Sequence, residues 1–185
     1  IDRTDADIPL HTELLLLCGL FLSMYAAFFF HTLIHEAGHL VFGLLTGYKF
    51  SSFRILSFMW VNANGKIRFK RYTLAGTGGQ CLMAPPDLKD GRIPLVLYNL
   101  GGSIINLAAG ALFLACYLLF SAVPFLSSLF LIFAVVGLAV ALMNGIPMRM
   151  GTVDNDGYNA FALAKNKEAV EAFWVQLKTA EQSAK

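Results

Sequence analysis

His35, Glu36, Ala37, Gly38 and His39 spell the pattern H-E-x-x-H. On a helix, residues four apart lie one turn above each other and about 40° apart in azimuth, so both imidazoles can bind one metal ion. Glu36 lies beside them, where it can take a proton from water polarised by that ion. As a bare pattern the motif has many chance matches. Its setting changes the odds: three ionisable groups fall within five residues of an otherwise apolar helix, and such groups near a bilayer are costly and usually functional. The bland alternative is two histidines bonded to other helices, with Glu36 in an ion pair.

A catalytic zinc site needs a third protein ligand and an open position for water. His31 precedes His35 by four residues, but His31 and His39 are about 12 Å apart along the axis, too far for one ion to bridge. A site-lining or hydrogen-bonding role is expected for His31, and solvent exposure for His11. Cys81 is a conceivable soft ligand, with a plain structural thiol the stronger expectation. Asp154 and Asp156 are the better candidates. They follow Asn144-Gly145-Ile146-Pro147 and end at Gly157. Pro147 should end a regular helix, and the freed backbone must be buried in protein or line a wet cavity. That geometry lets a carboxylate swing back toward the histidines. The competing reading is a solvated Asx-Gly turn.

The elements that must hold these groups are apolar. Of 185 residues, 57% are hydrophobic and 14% charged, with a mean hydropathy of +0.62; a soluble domain carries about 25% charged residues. Residues 14–34 are 21 positions without Asp, Glu, Lys or Arg, and residues 93–148 are 56 more. A run of roughly 20 can cross a bilayer, and the longer run has room for two crossings and a turn. The expectation is an integral membrane protein with no more than one small soluble appendage. A net charge of +2 gives no argument for nucleic acid. The three cysteines, Cys18, Cys81 and Cys116, do not suggest a disulfide framework. The first ten residues hold three Asp and one Arg, the wrong charge for a secretory signal, and a start at Ile1 rather than Met suggests a trimmed chain.

Residues 1–12 read as a short exterior segment. Residues 13–47 read as one long helix or two joined ones, about 50 Å of helix against about 30 Å of hydrocarbon. Residues 48–92 form the substantial polar stretch. Asn64-Gly65 is a strong hairpin signal, because both positions accept positive φ. After it Ile67 and Phe69 alternate with Lys66, Arg68 and Lys70, which predicts a β-hairpin at the membrane surface. Gly76, Gly78, Gly79 and Pro85-Pro86 predict an irregular loop into the second span. That span is expected over 95–121 and the third over 124–146, followed by a polar tail, 147–185. In the tail, Phe161, Ala164, Val170, Phe173, Trp174 and Leu177 have helical spacing, which predicts an amphipathic helix over 159–178 lying on the membrane or on the hairpin.

Thirteen of fourteen Lys and Arg residues fall in the first loop and the tail, and only Arg3 precedes the first span. The N-terminus is therefore expected outside and the C-terminus inside. In the second span Asn99, Gly102, Ser103, Asn106 and Gly110 share an arc of about 100°; in the third, Gly137, Ala141 and Asn144 form a similar stripe. Small and polar residues on one stripe let helices pack closely and hydrogen-bond across. For Asn106 and Asn144, packing and active-site roles weigh equally.

HEAGH in the first span, with a distal Asn-x-x-Pro followed by Asp-Gly, resembles the site-2 protease family of intramembrane zinc metalloproteases. The resemblance covers residues 31–157. It implies a three-span core, zinc held by His35 and His39, Glu36 as general base and acid, and Asn144 and Pro147 as substrate-backbone and shaping positions. The family's G-P-x-x-N looks like Gly102-Ser103-Ile104-Ile105-Asn106, with Ser103 in place of Pro. The family's usual spacing puts the aspartate at Thr152, a poor ligand. The loop therefore looks lengthened, and Asp156, which Gly157 follows, is favoured over Asp154. Residues 48–92 are too few for the PDZ-type domain of some relatives, so the chain looks like a compact bacterial member, a single protease-like domain over 1–185.

The expected fold is thus mainly α: a membrane protein with a three-span core, a β-hairpin and Gly-rich loop between spans one and two, and a C-terminal amphipathic helix. The expected activity is that of a zinc endopeptidase with one Zn2+. It would cut a membrane-embedded peptide or single-span protein near the cytoplasmic side of a bacterial cell membrane, with Glu36 catalytic, His35, His39 and Asp156 (or Asp154) binding metal, and Asn144, Pro147 and Asn106 contacting substrate. The alternatives are a membrane scaffold or transporter-like module with a structural metal, or a membrane H-E-x-x-H protease of another family.

Overall fold

A computed structural model of the protein describes residues 9–73, 78–150 and 153–184. Most of the exterior segment expected at 1–12, Gly76 of the expected loop, and Thr152 lie outside the described residues. The described chain is mostly helical, with a small antiparallel sheet.

Three helices are long and apolar enough to cross a membrane: α1 (Leu10–Leu45), α2 (Leu95–Leu119) and α3 (Pro124–Gly145). α1 is one continuous helix of 36 residues, about 54 Å at 1.5 Å per residue. Its N-terminal half exposes Leu14, Leu15, Leu16, Leu17, Phe21 and Leu22, an apolar surface suited to lipid. Apolar side chains cannot choose a packing face in such a helix, because lipid tails are as apolar as leucine; small residues choose it instead. A Cβ added to Gly101 would come within 2.6 Å of the Gly38 carbonyl oxygen and 3.0 Å of the Phe42 Cβ. Nothing larger than hydrogen fits where α1 and α2 cross. The α2 and α3 helices approach less closely, with Gly110 against the backbone of Ala134 and Leu138, where an added Cβ would stand 3.4 Å from its nearest neighbours.

Between α1 and α2 lie four antiparallel strands, β1 (Lys49–Ile55), β2 (Phe58–Ala63), β3 (Lys66–Arg71) and β4 (Gly79–Ala84), in the order β3-β2-β1-β4. The expected hairpin is β2–β3, its turn made by Asn64 at φ 54 and Gly65 at φ 81, the mirror-image turn that suits strand twist. The sheet is larger than expected. β1 joins it, and β4 occupies part of the stretch read as irregular loop. β4 carries Cys81, Leu82, Met83 and Ala84, hydrogen-bonded to β1 along one edge and packed against α1 and α5. None of its residues is exposed, so the strand shows no polar–apolar alternation and the usual signal is absent.

After α3 come two short strands, β5 (Arg149–Met150) and β6 (Val153–Asp154), then α4 (Asp156–Phe161), a 3-10 turn (Leu163–Lys165) and α5 (Lys167–Ala184). The amphipathic helix expected over 159–178 is therefore broken. Asn166 accepts from the Glu168 N–H at 2.9 Å and so offers the backbone an N-terminal start inside the expected helix. α5 lies on β4 and β1. Its Leu177 joins Tyr48, Cys81, Met83 and Tyr98 in one buried cluster, where the Tyr48 and Tyr98 rings stack at 4.4 Å. The Trp174 indole N–H donates to the Pro86 carbonyl at 2.9 Å.

If the α1–α2 crossing depends on contact at glycine, Gly101→Leu should cost about 1–3 kcal/mol through overpacking and lower the melting temperature in detergent by several degrees. Gly19→Leu should leave it unchanged, because a Cβ there meets nothing within 4 Å.

Candidate metal centre

The i, i+4 spacing on α1 stacks His35 and His39, each 7% exposed, with their Nε2 atoms 3.2 Å apart. Asp156 Oδ2 lies 3.0 Å from His35 Nε2 and 3.3 Å from His39 Nε2. The three atoms make a nearly equilateral triangle. Ligands held about 2.0–2.1 Å from a common centre in tetrahedral array stand about 3.3 Å apart. Two imidazoles and one carboxylate at these separations therefore fit a zinc-like ion, with the fourth corner left for water or substrate. This is the group of metal-capable side chains found among the described residues.

The partners of the ring nitrogens matter as much as the triangle. His39 Nδ1–H donates to the Tyr98 carbonyl at 2.9 Å, which directs its Nε2 lone pair at the centre. Gly102 lets α2 reach the His35 ring: an added Cβ would sit 2.5 Å from its Cε1.

Asp156 comes from 121 positions away, and Asn155 brings it there. The Asn155 side-chain oxygen caps α4 by accepting from the Tyr158 N–H at 2.9 Å, and it also accepts from the Met148 N–H at 2.9 Å. Its amide nitrogen donates to the Met143 and Ile146 carbonyls at 2.8 and 2.7 Å. All the hydrogen-bonding capacity of that side chain goes into fastening the end of α3 to the start of α4. Ile146 is extended, with ψ 127, as the residue before a proline must be. Asp154 is elsewhere, paired with Arg149 through oxygens 2.7 and 3.3 Å from the guanidinium.

Glu36 faces β4. A Cβ on Gly79 would fall 2.7 Å from Glu36 Cγ, so the strand lies directly on the acid. Glu36, both histidines, Asp156 and residues 78–82 line one cavity of about 460 Å3. Asn144 lines it too, its amide nitrogen bonded to the Val140 carbonyl at 2.9 Å. Pro147 is exposed and outside that lining. Asn106 is also outside it: fully buried, it lies between His31 and His35, away from where substrate would lie. His31 is equally buried and bonds to Asn106 and the Phe133 carbonyl. Cys81 lines the cavity without joining the triangle; burial pushes its thiol up. His11 is exposed.

The sequence reading missed Asn155 and Tyr98. Asn before Asp-Gly carries a helix-start signal that names the first. The second acts through a backbone carbonyl, for which side-chain identity gives no signal. Comparison with protein families, curated proteins and solved structures finds no match for this chain.

Metal analysis after purification separates the two aspartates. Asp156→Ala should lose bound zinc by more than the roughly 10–100-fold typical of losing an outer partner, whereas Asp154→Ala should bind as the parent does. The reverse result would move the third ligand to Asp154.

Proposed function

We propose that this chain is an intramembrane zinc endopeptidase of the site-2 protease kind, cutting a membrane-embedded segment near the cytoplasmic side, with its N-terminus out and its C-terminus in. What supports the reading is one juxtaposition: a His–His–Asp triangle and an unligated glutamate face a single cavity. A structural metal site has no use for that glutamate or for the open corner.

A divalent ion bound there supplies Lewis-acid polarisation of a carbonyl and of water. Glu36 takes the proton of the attacking water and hands it to the leaving amine. Asn144 offers a polar side chain to the substrate backbone on the opposite wall.

A helical substrate shields its amides with its own hydrogen bonds and must unwind before attack, and in lipid the released groups need new partners. β4 is an edge strand with β1 as its neighbour, and its residues line the cavity beside Glu36. Strand addition along that edge both unwinds the substrate and satisfies it.

Glu36→Gln should lower cleavage of a single-span peptide by at least about 10²-fold with zinc content unchanged. Parental turnover in that variant would exclude Glu36 as the acid–base and leave a non-enzymatic metal module. A substrate span whose backbone amides flanking the cut are N-methylated cannot pair along a strand edge, so it should be cleaved more slowly while zinc stays bound. Undiminished cleavage would count against strand addition.

A further inference from the structure

The inference here deepens the metal-centre reading and rests on it. His31 Nε2–H donates to the Phe133 carbonyl at 2.9 Å. The Asn106 amide stands between two rings, its oxygen 3.0 Å from His31 Nδ1 and its nitrogen 3.1 Å from His35 Nδ1. His31 and Asn106 are both 0% exposed. The two ends of a side-chain amide have the same shape, so the hydrogen-bond network decides which end is oxygen.

With the oxygen toward His31, that ring must donate from both nitrogens. It would then be a cation among the Phe30, Phe113 and Phe133 rings, in none of the ion pairs formed by the described residues, and an unpaired buried charge is costly. The same arrangement makes His35 accept at Nδ1. A neutral His35 then carries its proton on Nε2, the atom that faces His39 and Asp156, and no lone pair is left for an ion. Turning the amide over removes both conflicts. Its N–H donates to His31 Nδ1, so His31 is neutral. Its oxygen accepts from His35 Nδ1–H, so the Nε2 lone pair points at the centre. His39 reaches the same state separately, through the Tyr98 carbonyl.

We propose that Asn106 is a positioning residue that, with its amide oxygen on His35 and its amide nitrogen on His31, locks His35 in the tautomer that binds a divalent cation through Nε2. His31 never touches the centre. Fixed by the Phe133 carbonyl, it sets the sense of the amide, and the amide sets the tautomer.

Imidazole 15N spectra of the metal-free full chain in detergent test this directly, with signals assigned from His31→Phe and His39→Gln variants. A protonated Nδ1 is expected at His35. A bare Nδ1 there overturns the proposal, and no Asn106 variant has to fold for that result. Zinc titrations against a competing chelator then compare the parent with Asn106→Leu and Asn106→Asp. The leucine variant should bind about 10–100-fold more weakly, while the aspartate variant, which still accepts from His35 Nδ1–H, should stay within about threefold of the parent. Parental affinity in Asn106→Leu, or equal weakness in both variants, overturns the positioning role while the metal centre stands. A parent chain that takes up no zinc overturns both.

Discussion

A polar ring buried between apolar helices has no water to bond with, so each of its nitrogens must be given a partner by the protein. That constraint governs the heart of this molecule. Three histidines lie along one face of α1, and each of their outer nitrogens has a partner from α2 or α3: the Tyr98 carbonyl, the Asn106 amide, the Phe133 carbonyl. The helices approach closely enough to provide these partners because glycine lies at their contacts. The polar stripe and the small-residue stripe are two halves of one solution. Glycine brings the helices together, and the pairing of the rings then makes that approach worth its desolvation.

The acid and the carboxylate are positioned by different means. Glu36 lies against a strand, and a glycine lets that strand lie flat on it. Asp156 is held from below by a neighbour, since Asn155 fastens two chain segments and leaves the next residue pointing at the histidines. Neither device needs metal contact, and neither resembles a ligand in sequence.

What the sequence made readable follows from how local the signal is. The H-E-x-x-H turn, the apolar spans and the Asn64-Gly65 turn are each set by residues within a few positions, and each was visible. β4 looks like loop in the sequence, because none of its residues alternates to the surface and because glycines lead into it and prolines follow it. The tail helix was drawn too long, because apolar spacing continued through a point where Asn166 caps a new start. Asn106 presents a polar residue on a helix stripe and the last position of Gly102-Ser103-Ile104-Ile105-Asn106, and neither names its partners. Its two partners lie 75 and 71 positions away, and nothing near it in the chain names them. Asp154 meets Arg149 five positions away, whereas Asp156 meets His35 across 121 positions, a contact that nothing near it in the chain names.

The separation of 121 positions between His35 and Asp156 sets an order of assembly. The two imidazoles are ready as soon as one turn of α1 has formed, whereas the carboxylate arrives only after α3 has ended and Asn155 has fastened that end. Closing so long a loop is an entropic cost met by the whole helix bundle, and no nascent chain shorter than residue 156 can complete the triangle. On the proposed metal-binding reading, ion retention would report completed tertiary structure, since all three helices must be docked before the triangle closes.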